Sequence, residues 1–376
     1  MASLAWGIAI PALLCLSIVA VNALTWTRGR RLAPRRSRRV SVLIPARNEE
    51  ANLEACVRHA LASEPGPLEV LVYDDESSDR TPALLSRLSR EDARVRALPS
   101  RPLPPGWVGK PHACQRLGEA ARGDLLLFLD ADVRLRERGL GRLLGLVEAA
   151  RADVVTAAPR QETGSFAERL VVPLLHVTYM CWLPLALIPR TRDPRVLVAN
   201  GQVLALTRAA WRRLHGFETI KSAIVDDMAL GRRAKERGLT VLFADGHEIA
   251  RCRMYRSGRE VWEGFSKNLY LGLGARPARL ALVAALYGAA FVLPYVALAL
   301  APLVPALLWP AVVGVAANVA LRGVLVVRQR HPVEGIFLQP LAVLGLLVIA
   351  FNSFRWTRAQ KVRWRGRTYA AGEASA

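Results

Sequence analysis

Hydrophobic positions follow two patterns along this chain. Towards the ends they run together: residues 4–25, 280–321 and 335–354 contain no charged side chain. A run of about 20 apolar residues is long enough to cross a bilayer. Residues 4–25 therefore predict one span and 280–321 two, with Pro302 and Pro305 near the turn. The stretch 335–354 is open. A single crossing would carry the basic segment 355–367 outward, whereas Pro340 and Gly345 permit a re-entrant or interfacial course. The positive-inside tendency favours an inward-facing tail.

In the middle the apolar runs shorten and alternate with amphipathic segments. VSVLIPA (40–46), LEVLVYDD (68–75), DLLLFLDAD (124–132) and DVVTAAP (153–159) read as buried strands. Helical patterns cover 49–63, 81–90, 110–122 and 138–151. This alternation predicts an α/β domain with a parallel sheet covered on both faces. Ligands bind such sheets at the carboxyl ends of the strands. Polar residues cluster there: Arg47, Asn48 and Glu49 after the first strand, Asp74 and Asp75 at the end of the second, Asp130 and Asp132 at the end of the third.

One further run, LVVPLLHVTYMCWLPLALIP (170–189), is uncharged but holds three prolines. A crossing there would place Asp130 and Asp132 on the opposite side of the bilayer from the acids at 226–227. The segment is therefore expected to be interfacial or re-entrant, with a helical hairpin buried beneath the sheet as the alternative. His176 within it reads as a core histidine, and Trp182 and Trp262 as packing or interface residues.

Charge refines the topology. The formal net charge is +21, which calls for an anionic partner. The arginines gather beside apolar segments, as in Arg28–Arg31 and Arg35–Arg39, and no aromatic-interleaved basic motif or zinc finger is present. Anionic lipid headgroups are the expected partner, and nucleic acid is not. The arginines after residue 25 place the middle domain in the cytoplasm. With no basic region ahead of it, the first span reads as an anchor and not as a signal peptide. Five cysteines without a CxxC pair read as buried thiols.

Asp130 and Asp132 offer hard oxygen ligands suited to Mg2+ or Mn2+, which bind one or two carboxylates and complete their shell with substrate phosphate. Asp226 and Asp227 precede a helical pattern. They fit helix-dipole partners or, alternatively, a pair supplying a general base.

The segments SVLIPARNEE (41–50), VYDDESSDRT (72–81), LLFLDADV (126–133) and VDDMALGRRAKERG (225–238) resemble, in order and spacing, the motifs of family 2 glycosyltransferases. PPGWVGKPHAC (104–114), ANGQVLALTR (199–208) and MYRSGREVWEGFSKNLY (254–270) are similar to the membrane-bound branch acting on carotenoid or hopanoid-type lipids. The resemblance implies a GT-A fold, a nucleotide-sugar donor such as UDP-glucose, and inversion at the anomeric carbon. It assigns Pro45, Arg47, Glu49, Asp74 and Asp75 to the nucleotide, Lys110 to the donor phosphates, Asp130 and Asp132 to the metal, and Asp227 to the catalytic base. Asp226 stands where the family has glutamate. Gln360, Arg363 and Trp364 fit a QxxRW element of processive members.

The expected layout is an anchor (1–27), a cytoplasmic catalytic domain (38–272), a C-terminal transmembrane region (278–356) and a basic tail (357–376). The expected function is sugar transfer to a hydroxyl of a lipid or isoprenoid acceptor at the inner membrane. The alternatives are a processive polysaccharide synthase and a polyprenyl-phosphate glycosyltransferase.

Overall fold

A computed structural model describes residues 5–29 and 38–360, with the backbone of 362–364 and 367–369. Arg30, Arg31, Arg35 and Arg36 lie outside the described residues. The chain opens with helix α1 (Ile10–Thr25). It then alternates β1 (Val40–Ala46), α2 (Leu53–Leu61), β2 (Glu69–Asp74), α3 (Thr81–Glu91), β3 (Val95–Leu98), α4 (Gly109–Ala120), β4 (Leu125–Leu129), β5 (Val133–Leu135), α5 (Gly139–Ala149) and β6 (Val154–Gln161). Short helices α6 (Phe166–Val171) and α7 (Leu174–Cys181) follow. The domain is completed by β7 (Val203–Thr207), α8 (Arg208–Leu214), α9 (Asp226–Glu236), β8 (Val241–Cys252) and α10 (Gly258–Gly272). The C-terminal part holds α11 (Pro277–Phe291), α12 (Leu293–Leu300), α13 (Leu308–Gln329), α14 (Gln339–Arg358) and a hairpin of β9 (Val362–Trp364) and β10 (Arg367–Tyr369).

The sheet order is β3-β2-β1-β4-β7-β6-β8-β5. The half formed by β3, β2, β1 and β4 is parallel, as the alternating pattern predicts. Its strands are buried on both faces. Val42 and Ile44 face a core with Leu53, Val57 and Leu85, while Leu43 and Leu71 face a second core with Leu117, Met180 and Trp211. The other half departs from the all-parallel expectation. β7 runs antiparallel between β4 and β6, β6 pairs parallel with β8, and β5 closes the edge antiparallel to β8. The reversal brings the loop before β7 to the end of the sheet where β4 terminates.

A second correction concerns Asp130 and Asp132. The strand ends at Leu129, so they do not share a strand face. They occupy a turn closed by the Val133 amide donating to the Asp130 carbonyl (3.0 Å).

The run 170–189 forms no helix long enough to cross a bilayer. Pro173 and Pro184 stand at the breaks between α6, α7 and a short 3-10 helix at Leu185–Arg190, because proline lacks the amide that a continuing helix needs. Val172, Leu174, Val177, Met180 and Ile188 are buried in the same core as the sheet. Asn22 of α1 ties the segment down. Its Nδ2 donates to the carbonyls of Met180 (2.9 Å) and Leu183 (2.8 Å), and its Oδ1 accepts from the Leu185 amide (2.8 Å).

Three helices among the described residues are long and apolar enough to cross a membrane: Trp6–Thr25, Pro305–Gln329 and Gln339–Arg358. These are compatible with a membrane protein. The helix pair α10–α11 bends by 114°, and α11 and α12 are separated by a break just before Pro294. Ion pairs join the helical region to the sheet. Asp245 of β8 binds Arg28, just after α1 (3.1 Å), and Arg328 at the end of α13 (2.9 Å). Trp26 donates to the Phe243 carbonyl (3.0 Å) and stacks on its ring.

Asp245 is 2% exposed and Arg328 9%, so removing the carboxylate strands a buried cation. Asp245→Ala should destabilise the detergent-solubilised protein by about 3 kcal/mol, read as a fall in the midpoint of denaturant unfolding at pH 7.5. An unchanged midpoint would show that this junction carries no stability.

Candidate active site

The parallel half of the sheet ends in two loops that lace together. After β1 the Asn48 amide donates to Ser77 Oγ (2.9 Å), the Glu49 amide to Thr81 Oγ1 (2.8 Å) and the Glu50 amide to Asp79 Oδ2 (3.0 Å). In return Asn48 Oδ1 accepts from the Ser78 amide (2.8 Å). Asn48 and Glu76 adopt left-handed φ values of 54° and 55°, a conformation asparagine tolerates better than glutamate does. Arg47 donates to the Asp75 carbonyl and pairs with the carboxylates of Asp75 (3.8 Å) and Glu76 (3.9 Å). Asp74 Oδ1 accepts from the Ser77 amide and hydroxyl. Pro45 lies in β1 opposite Tyr73. Pro45, Arg47, Glu49, Asp74 and Asp75 thus line one pre-formed polar rim, where a nucleotide would meet fixed donors and acceptors.

Beside this rim, at the end of β4, four further residues converge. Lys110 sits in the first turn of α4, and its Nζ lies 2.7 Å from Asp130 Oδ1 and 3.9 Å from Asp226 Oδ2. Asp226 and Asp227 open α9, where the helix dipole favours negative charge. Asp227 Oδ1 accepts from the Met228 amide (2.7 Å). Gly201, just before β7, is tightly enclosed. A Cβ there would stand 3.3 Å from Lys110 Nζ and 3.5 Å from Asp227 Oδ2. So Lys110, Asp130, Asp226 and Asp227, distant in sequence, share one crevice with Gly201 as its floor.

Crowding of carboxylates shifts their protonation. Burial pushes Asp226 up to about 6, with Asp227 and Asp130 adding repulsion against the relief given by Lys110. Burial also raises Asp227. Burial lifts Asp132 to about 7, reinforced by the charges of Asp130 and Glu49. Burial works against the Lys110 ammonium, yet Asp130 and Asp226 hold it well above the ordinary lysine value.

These residues fit a divalent cation. Asp132 Oδ1 is buried without a hydrogen-bond partner, and burial, with the charges of Asp130 and Glu49, raises its carboxyl. Among the described residues no group of three or more His, Cys, Asp or Glu is arranged to enclose an ion. A pair of carboxylates with one open side, finished by phosphate and water, is the usual Mg2+ arrangement.

Gln360 follows α14 with φ 52° and is exposed. The strand after it lies beside α10. The Arg363 and Trp364 side chains lie outside the described residues. Several residues at the site had no role assigned from sequence. Asn200, Gly201 and Gln202 fill the loop between the acids, and Cys252 ends β8 next to Asp132. Tyr179 of α7 accepts from Asn200 Nδ2 (3.3 Å). Asn200, Gly201 and Gln202 lie in ANGQVLALTR, which carries part of the resemblance, but their place beside the acids appears only once β7 is known to run backwards.

Comparison with known proteins agrees with this geometry. The family model described as Glycosyl transferase family 2 matches residues 41–197. A 4,4'-diaponeurosporenoate glycosyltransferase of Staphylococcus haemolyticus (strain JCSC1435) is 24% identical over 348 residues, 88% of each chain. One from Staphylococcus aureus (strain USA300) is 26% identical over 256 residues, 66% of each chain. Among solved structures, the mannosyltransferase PcManGT from Pyrobaculum calidifontis, in complex with GDP-Man and Mn2+, has a TM-score of 0.55 at 17% identity. That match covers 94% of this chain and 99% of that one, and it establishes likeness of fold. Residues 41–197 thus match the family 2 glycosyltransferase model, the mixed sheet is GT-A-like, and the chain resembles the carotenoid-associated glycosyltransferases.

Proposed function

We propose that the protein is an inverting, metal-dependent transferase that moves a hexose from a nucleoside-diphosphate sugar, UDP-glucose, to a membrane-borne carotenoid or related isoprenoid hydroxyl. The observation that carries this is Lys110 bridging Asp130 and Asp226 at the carboxyl end of the sheet, with Asp227 alongside. The relatives' names supply the carotenoid class of the acceptor, though the carotenoid they print bears a carboxylate; the hydroxyl follows from the resemblance alone.

In this reading the rim from Arg47 to Asp75 holds the base and ribose. Asp132 and Asp130 would hold Mg2+ or Mn2+, which when bound would offset the charge gathering on the departing diphosphate. Lys110, already turned into the crevice, presents a second positive group to the same oxygens. Asp227 accepts the proton of the attacking hydroxyl. One displacement inverts the anomeric centre, so no enzyme nucleophile is needed, unlike the paired carboxylates of glycoside hydrolysis. Asp226 holds Lys110 and adds negative field beside the base.

The membrane reading places the catalytic domain and the tail on the cytoplasmic side. It is supported by α14, whose ends are both tied to that domain. Glu334, ahead of it, pairs with Arg169 of α6. Near its C-terminal end Asn352 Nδ2 donates to Ser266 Oγ (2.9 Å), and Ser353 Oγ accepts from the Tyr270 amide (3.0 Å), both on α10. An interfacial or re-entrant α14 meets these contacts without moving the tail across the bilayer. Segment 170–189 runs beneath the site and meets the anchor, a route by which an acceptor could reach Asp227 from the lipid.

Three outcomes test the function. Purified protein given labelled UDP-glucose and carotenoid-loaded vesicles should form a glycosylated lipid with inverted anomeric configuration; retained configuration would overturn the mechanism. Asp227→Asn should lower kcat by about 100-fold or more while UDP binding, measured by calorimetry, stays intact. Near-normal turnover would remove Asp227 as the base. Because the base must be ionised and burial raises its carboxyl, activity should fall on acidification at a pH above the ordinary carboxylate range. A rate profile flat down to pH 5 would contradict the assignment.

A further inference from the structure

Gln202 touches the start of the Asp130–Asp132 turn with its backbone and reaches Cys252 with its side chain. Its backbone carbonyl accepts from the Asp130 amide (3.3 Å). Its side-chain Oε1 accepts from Gln161 Nε2 (2.8 Å) and Asn200 Nδ2 (3.3 Å). With donors on Oε1, the amide orientation is fixed and Nε2 must point the other way. There it donates to Cys252 Sγ (3.0 Å). The sulfur, already accepting, is left with its S–H to give, and the β5–β8 register, which pairs Cys252 with Val133, sets the thiol beside Asp132. Cys252 is fully buried at the end of β8, so the thiol has no solvent alternative. Asp132 retains Oδ1 free of any hydrogen-bond partner.

The loop carrying Gln202 is itself held. The Asn200 amide donates to Thr156 Oγ1 (2.8 Å), and Thr156 returns its hydroxyl to the Asn200 carbonyl (2.7 Å). On the far side of the turn, Cys56 Sγ donates to the Asp130 carbonyl (3.7 Å) and Arg134 to the Ala131 carbonyl (2.9 Å).

We propose that Gln202 and Cys252 are positioning residues that act in series, Gln202 aiming the thiol and the thiol orienting Asp132, so that one carboxylate oxygen stays open to a divalent cation. The inference rests on the metal reading above and adds to it the two side chains that set metal affinity. Outer hydrogen-bond partners of a metal carboxylate commonly change affinity by about 10- to 100-fold. The chain of contacts also predicts coupling. Once either residue is removed, losing the other should cost little more, because both act through one hydrogen bond.

The test is a Mn2+ titration of the detergent-solubilised full chain with UDP, reading free Mn2+ by electron paramagnetic resonance, together with kcat at limiting and saturating Mn2+. Cys252→Ala and Gln202→Met should each raise the Mn2+ Kd by about tenfold or more, the double variant should match the single ones, and saturating Mn2+ should recover most of kcat. Cys252→Ser, which keeps a donor in the same place with little change in volume, should retain most of the affinity and guards against misfolding of the other variants. Wild-type Mn2+ affinity in Cys252→Ala, or additive losses in the double variant, would overturn the proposal while leaving the transferase reading intact. A wild type that binds UDP but no Mn2+ would overturn the metal reading and this inference together.

Discussion

Crowding of negative charge is the constraint around which this molecule is arranged. Asp130, Asp132, Asp226 and Asp227 are drawn towards one crevice, and Lys110 is the cation seen to answer them. Like charges held this close in a partly dry site raise one another's pKa and oppose folding. In the proposed reading, a divalent cation carried with a donor's phosphates would relieve that cost. Binding energy and unrelieved electrostatic cost are therefore two sides of one design, in which the free site is primed by the repulsion that its ligand removes.

The fold exists to bring those groups together. The parallel half supplies Asp130 and the polar rim from adjacent strand ends. The reversed strand β7 then returns the chain to that edge, so that the loop before it can floor the crevice and α9 can present its first turn. Gly201 shows how close the approach is, since a single added carbon would stand 3.3 Å from Lys110 Nζ and in contact with Asp227. The apolar helices are joined to this scaffold through Asp245 and its two arginines, so the sheet is held to them by specific ion pairs as well as by apolar contact.

Much of this was readable in the sequence because strong local signals coincide with function. The uniform apolar runs of β1, β2 and β4 mark strands buried on both faces, and the charged residues that stop them mark the site. Asp226 and Asp227 were found through their place before a helical pattern. What stayed hidden depends on long-range pairing. VLALT and VLFADGHEIARC carry no mark of strand direction, so the antiparallel half was missed. With it went the proximity of Gln202 and Cys252 to Asp132, because an amide and a thiol become significant only beside a carboxylate. The length of the strand ending at Leu129 was overestimated because apolar pattern cannot tell a strand's last residue from the turn that follows it. Segment 170–189 had the composition of a span; Pro173, Pro184 and a partner asparagine on α1 made it a broken, buried connector.

The central claim is that these acids and Lys110 form one site for a metal-bound diphosphate. A crystal or cryo-EM structure of the protein with UDP and Mn2+, the metal located by its anomalous or density signal, tests it most directly. The account predicts Mn2+ at about 2.1 Å from an Asp132 oxygen, with the diphosphate bridging it to Lys110 and Asp227 left open towards the acceptor side. Metal or diphosphate bound away from Asp132 and Lys110 would contradict it.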